Sequence, residues 1–150
     1  VSDTKIRFTV GSVVLLSKLI EGTFPDYDRV TPKNNDKQMN VDRASFATAV
    51  DRVSTIASDR GGKAVKLQAR DGLLELSVTN PDHGTASEEL AVDFDTDGFE
   101  IGFNARYLLD IIGQIRSDNA VFMFNDAGSP TLVKDDGETR ALYVLMPMRV

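Results

Sequence analysis

Two stretches decide the fold: Gln38–Ser58, "QMNVDRASFATAVDRVSTIAS", and Glu100–Ile115, "EIGFNARYLLDIIGQI". In the first, "QMNV" is a short strand and Asp42 is placed to cap a helix running from Arg43 to about Ser58. Phe46, Val50, Val53 and Ala57 recur at spacings of three and four, which lays one apolar stripe along that helix. In the second, "EIGF" is the strand, Asn104 the cap, and Ala105 to about Ile115 the helix. A shift of 62 positions carries Asp42 onto Asn104, Phe46 onto Leu108, Val50 onto Ile112 and Val53 onto Ile115.

The repetition extends downstream. "AVKLQA" (64–69) and "LLELSVT" (73–79) read as strands joined by a turn at Asp71 and Gly72, and "ASEELAVDF" (86–94) continues the meander. After the second helix, "AVFMFN" (120–125) matches "AVKLQA", "TLVKD" (131–135) matches the second strand, and "ALYVLM" (141–146) matches "ASEELAV". Residues 38–150 are therefore two copies of a strand–helix–strand–strand–strand unit. Such a pair predicts an α+β fold in which the units sheet together with both helices on one side.

Upstream, "TKIRFTV" (4–10) alternates as a half-buried strand does, Gly11 marks a turn, and "SVVLLSKLI" (12–20) reads as a more fully buried strand. "EGTFPDYDRVTPKNNDK" (21–37) has little periodicity, and Pro25 and Pro32 hold it away from helix. It reads as an extended connector at a domain boundary, dividing 1–32 from 33–150. The first 24 residues are too few for a domain, and the chain opens on Val1 rather than Met, so the expectation is the back part of a longer protein.

Composition narrows the chemistry. The 150 residues contain no cysteine, which excludes disulfides, thiolate catalysis and Cys-ligated metals and fits a reducing cytoplasm. No apolar run reaches membrane-spanning length. A formal charge of −6 argues against a protein that grips nucleic acid tightly. His83, the only histidine, sits in "NPDHGTAS" without a second ligand type nearby, and "DRGGK" lacks Walker spacing. Neither an enzyme nor a cofactor or metal site is expected.

The last ten residues, "ALYVLMPMRV" (141–150), stay apolar almost to the end. By residue type they are a final core strand with a sticky end. Methionines 146 and 148 flanking the rigid Pro147 equally suit an adaptable apolar groove.

"YVLMPMR" followed by an aliphatic residue resembles the C-terminus of the bacterial DNA polymerase III beta subunit, the sliding clamp. The duplicated unit and "SKLIEGTFPDYDRVTPKN" (17–34), similar to that family's junction between middle and last domains, carry the same resemblance. It implies that 1–32 are the last strands of a clamp middle domain plus connector, and 33–150 the third domain. It also implies a peptide-binding groove formed by Pro25, Arg29 and Val30 of the connector, Asn104 and Tyr107 of the second helix, and Val144, Leu145, Met146, Pro147, Met148, Arg149 and Val150 of the tail. Asn104 is equally a plain helix cap. Pro130 departs from the small polar residue several relatives carry at a position bordering that groove.

The resemblance places Ile56, Asp82, Glu88 and Glu89 at the subunit interface of a full ring, with Ile56 exposed because it lies off the helix stripe. The acidic residues of the strand 82–89 also suit charge protecting an exposed sheet edge. Arg43, Arg52, Arg106 and Arg116 would face DNA in such a ring, and are equally what any solvated helix shows. The implied partners are encircled duplex DNA, the polymerase III alpha subunit, the clamp loader, translesion polymerases and mismatch-repair proteins. The full-length protein is expected as a homodimer and this chain as a monomer. A generic two-repeat peptide-binding scaffold without any link to DNA is the competing reading.

Overall fold

A computed structural model describes residues 2–57, 63–96, 98–137 and 141–150, in two compact units, Val1–Val30 and Thr31–Val150. The first is a hairpin of β1 (Lys5–Val10) and β2 (Val13–Lys18) followed by a one-turn helix, α1 (Tyr27–Val30). Val10 pairs with Val13 across a two-residue turn, and Gly11 supplies its positive φ of +57°. Every residue of β2 is exposed, against the expectation of a buried strand. The reason is geometric: a lone two-stranded sheet has no second layer in its unit to close over Val14, Leu15 and Leu16. The connector is also not extended throughout. The Asp26 carboxylate accepts the Asp28 N–H at 3.1 Å and pairs with the Arg29 guanidinium at 3.3 Å, which closes the single turn of α1 behind Pro25.

In the second unit each helix follows its first strand without a loop. β3 (Lys37–Asp42) runs into α2 (Arg43–Ser54), and β8 (Phe99–Asn104) into α3 (Ala105–Ile112). Asp42 and Asn104 end their strands in extended conformation and cap the helices, accepting the N–H of Ser45 at 2.8 Å and of Arg106 at 2.9 Å. The apolar stripes are buried as their spacing predicts: Phe46, Val50 and Val53 on α2, Leu108, Ile112 and Ile115 on and after α3. The helices are shorter than expected. Tight i−3 bonds close α2 at Thr55 and Ala57, where β-branched Val53, Thr55 and Ile56 crowd, and Ser58 lies outside the described residues. Gly113 caps α3.

The remaining strands are β4 (Ala64–Arg70), β5 (Leu73–Asn80), β6 (Gly84–Ala91), β7 (Asp93–Phe94), β9 (Asn119–Phe124), β10 (Thr131–Asp135) and β11 (Tyr143–Leu145). They form two sheets, β11-β10-β9-β3-β7 and β6-β5-β4-β8, not the single sheet the repeats suggested. The repeats exchange strands: β3 of the first pairs with β9 of the second, and β8 of the second with β4 of the first. α2 and α3 pack on each other, and Phe46, Phe122, Phe124, Phe99 and Phe94 form a continuous aromatic cluster beneath, centroids 4.9–5.8 Å apart from Phe94 to Phe124.

Pairing registers correct the repeat alignment at one strand. Ala64 pairs with the cap Asn104, and Asn119 with the cap Asp42. Ala64 thus corresponds to Asn119, and buried Val65, Leu67 and Ala69 to Ala120, Phe122 and Phe124. Matching "AVKLQA" to "AVFMFN" by identity was one residue out of register, a slip that exchanges the two faces of a strand. The last strand of each repeat crosses between sheets. β6 pairs with β5 and then, past Val92, β7 pairs with β3. Likewise β11 pairs with β10 and then, past Pro147, Met148 pairs with Gly102 of β8.

Candidate functional site

The crossing at Pro147 makes a groove. As the tail leaves β11 it runs beside α3, and between them lies a cavity of about 420 Å³ lined by Asn104, Tyr107, Asp110, Ile111, Val144, Leu145, Met146, Pro147 and Met148. α3 can serve two surfaces because of its periodicity. Ala105, Leu108 and Ile112 face the core, while Asn104, Tyr107 and Ile111, again spaced three and four apart, face the groove. Asn104 caps the helix and lines the groove at once. Tyr107 is 57% exposed, Val144 41% and Met146 62%, so solvent covers a largely apolar slot whose polar side-chain groups are Asn104, Asp110 and the Tyr107 hydroxyl. Size and lining suit a short apolar segment of a partner.

Seven of the sequence-predicted residues meet here: Asn104, Tyr107 and Val144–Met148. Arg149 and Val150 do not. They follow the strand bridge to the other side of the tail and line a separate hollow with Ala64, Lys66, Ser77, Val78 and Thr79. Pro25, Arg29 and Val30 lie in the first unit, all exposed, with Arg29 paired to Asp26. Pro130 does not line the groove; its carbonyl accepts the Asn35 side-chain amide at 2.9 Å. Asp110 and Ile111 escaped the sequence reading, although the three-and-four spacing from Asn104 through Tyr107 to Ile111 was there to extend.

The other predicted surfaces are partly rearranged. Ile56 is not exposed: it packs half-buried against the core, and its carbonyl accepts the Asn80 side chain at 2.7 Å. The tight turn after Ser54 is what swings it inward. Asp82 sits in the β5–β6 turn, before the strand that carries Glu88 and Glu89, with His83 beside it. Strand alternation points Glu88 toward α2, where it pairs with Arg52 at 3.3 Å, while Glu89 faces the opposite side. Arg52 and Glu88, expected on different functional surfaces, therefore hold each other. Arg43 donates through Nε to the Ser117 carbonyl at 3.1 Å and is half-buried, whereas the Arg106 and Arg116 side chains are exposed.

The loop after α3 is fixed by Asp135, whose carboxylate accepts the N–H groups of Ser117 at 3.0 Å and Arg116 at 2.7 Å and the Ser117 hydroxyl at 2.9 Å. These bonds, the Ser117 N–H first, hold its pKa below the usual carboxylate value. No helix among the described residues is long and apolar enough to cross a membrane.

The family model for the C-terminal domain of the DNA polymerase III beta subunit matches residues 28–149. The chain belongs to that family. A beta sliding clamp of Caulobacter vibrioides is 51% identical over all 150 residues, and one of Pseudomonas aeruginosa 37% identical over 145. A crystal structure of the DNA polymerase III subunit beta of Bartonella birtlesii, bound to griselimycin, superposes with a TM-score of 0.94 at 56% identity over 99% of the chain. The chain spans about 40% of the length of these beta subunit relatives. The α+β fold expected from the repeats and the beta subunit fold implied by the resemblance are thus shown, with the strands divided between two sheets.

Proposed function

We propose that this chain is the C-terminal portion of a bacterial sliding clamp, a non-catalytic cytoplasmic processivity factor. The whole protein encircles duplex DNA as a homodimeric ring and docks its partners through the α3–tail groove. Residues 1–32 then contribute the last strands of a middle domain and the connector, and 33–150 the third domain. The observation that carries the reading is the solvent-open apolar groove between α3 and Val144–Met148, in a chain whose relatives are beta sliding clamps. Such a slot accepts a linear motif with a Leu and an aromatic anchor, while Asn104 at its edge offers hydrogen bonds to a Gln side chain. The polymerase alpha subunit, clamp loader, translesion polymerases and mismatch-repair proteins bring such motifs. Arg149 and Val150 hold the tail from behind.

In the ring, Asp82, Glu89 and the Ile56 region meet the neighbouring subunit, and the exposed Arg106 and Arg116 face the phosphates more readily than Arg43 or Arg52. A ring holds DNA by topology, which agrees with the net charge of −6. The test is retention on DNA by a protein of the relatives' full length. It should stay on closed circular duplex through a salt wash and run off once the circle is cut; equal loss from both forms would exclude encirclement.

A further inference from the structure

One wall of the groove is an added strand with slender support. Past Pro147 the tail is held to β8 by an isolated bridge, in which the Met148 N–H donates to the Gly102 carbonyl at 2.8 Å. Gly102 is buried and does not have the positive φ that favours glycine, so backbone conformation does not explain it. Space does. A Cβ built on Gly102 would lie 2.8 Å from the Met148 carbonyl oxygen and from one Val150 methyl, and closer still to the other. All three are tail atoms. Glycine within a strand marks a close approach of another backbone, and here the approaching backbone is the groove wall.

The first repeat supplies an internal comparison. The position matching Gly102 is Asn40, which pairs with Asp93 of β7 as Gly102 pairs with Met148. A full side chain is accommodated there, and the Asn40 amide reaches the Asp93 carboxylate at 3.5 Å. The same sheet position in the same fold thus tolerates a side chain where β7 crosses and excludes one where the tail crosses. The difference lies just beyond the pairing residue, where Val150 folds its methyls over Gly102.

We propose that Gly102 is a positioning residue for the peptide groove: its missing side chain is the seat that locks the C-terminal tail onto β8 and so holds Val144–Met148 in line with Tyr107 and Ile111. The consequence for docking rests on the function proposed above, whereas the seating itself does not. Two readouts on the full chain keep these apart. Amide hydrogen exchange at Met148 reports the seat, with Ile101 and Leu67 amides reporting the sheet, and titration of a fluorescent Gln-x-x-Leu-Phe peptide reports the groove. In Gly102→Ala, Met148 should lose at least tenfold of its protection and peptide affinity should fall at least tenfold, while Ile101 and Leu67 keep theirs. Met148 protected as in the wild type would overturn the proposal, and so would equal loss at Ile101 and Leu67, because the glycine would then serve the strand. Loss of Met148 protection in a protein whose wild type binds no peptide would uphold the seat and refute the docking reading.

Discussion

At the scale of single residues, packing and charge have separable consequences. Met148 lines the groove with an unbranched thioether that adapts to different guests, and its backbone, not its side chain, carries the bond to Gly102. Met148→Ala should therefore weaken a Gln-x-x-Leu-Phe peptide severalfold in a titration, with a thermal melt close to wild type. Asp135 behaves oppositely, since it touches no part of the groove yet ties the α3–β9 loop to β10. Its pKa is lowered in the fold, so the unfolded chain binds more protons near the ordinary carboxylate value of about 3.9. The stabilisation is complete above that value and is lost as pH falls through the folded one. Asp42 and Asp126, lowered by bonds from Ser45 and Gly128, add to the same slope. Melting temperature should be level from about pH 5 to 8 and drop below about pH 4. Asp135→Asn should melt lower at pH 7 and lose less on acidification; an unchanged acid limb would show that the carboxylate does not act this way. Ile56 is half-buried against the core, so Ile56→Asp should lower the melting temperature of this chain, and in the proposed full-length ring it should also disrupt the subunit contact.

At the scale of elements, α3 divides its faces between fold and function. Leu108→Ala on the core face should cost about 2–5 kcal/mol of stability by chemical denaturation. Tyr107→Ala, one residue away on the exposed face, should stay within about 0.5 kcal/mol and show its effect in peptide affinity. Much of this element level was readable beforehand. Capping residues, three-and-four spacing and turn glycines act over a few residues, so the two helices, most strands and the tail's dual character were legible. What was not legible depends on partners distant in sequence. The exchange of β3 and β8 between sheets joins residues far apart, and no local period encodes it. The one-residue error at Asn119 arose because an Ala-Val pair in both repeats outweighed burial in the alignment, although burial decides the face. β2 read as buried because four consecutive apolar residues normally find a second layer, and its unit supplies none. The resemblance puts Arg149 in the groove, whereas past the bridge at Met148 it lines a separate hollow together with Val150, Ala64 and Lys66.

At the scale of the whole molecule, the pseudo-twofold pairing of two repeats is a scaffold with two crossing points, one closed by β7 and one by the tail past Pro147. The second is the one that opens a groove, because the tail there stands off from α3 and leaves the slot between them to solvent. In the proposed ring the subunit contact takes a surface from a further domain, so the 150-residue chain should sediment as a monomer; a stable dimer would move the interface onto these 150 residues. The groove is the centre of the account, and deleting Met146–Val150 tests it most directly. The truncated and intact chains are titrated with the same fluorescent Gln-x-x-Leu-Phe peptide, with a thermal melt alongside. Anchor contacts of this kind contribute on the order of 2 kcal/mol each, so loss of the wall should carry a micromolar affinity beyond detection while the cooperative melt remains. Equal affinity in the two chains would contradict the account and return the tail to a merely adhesive end.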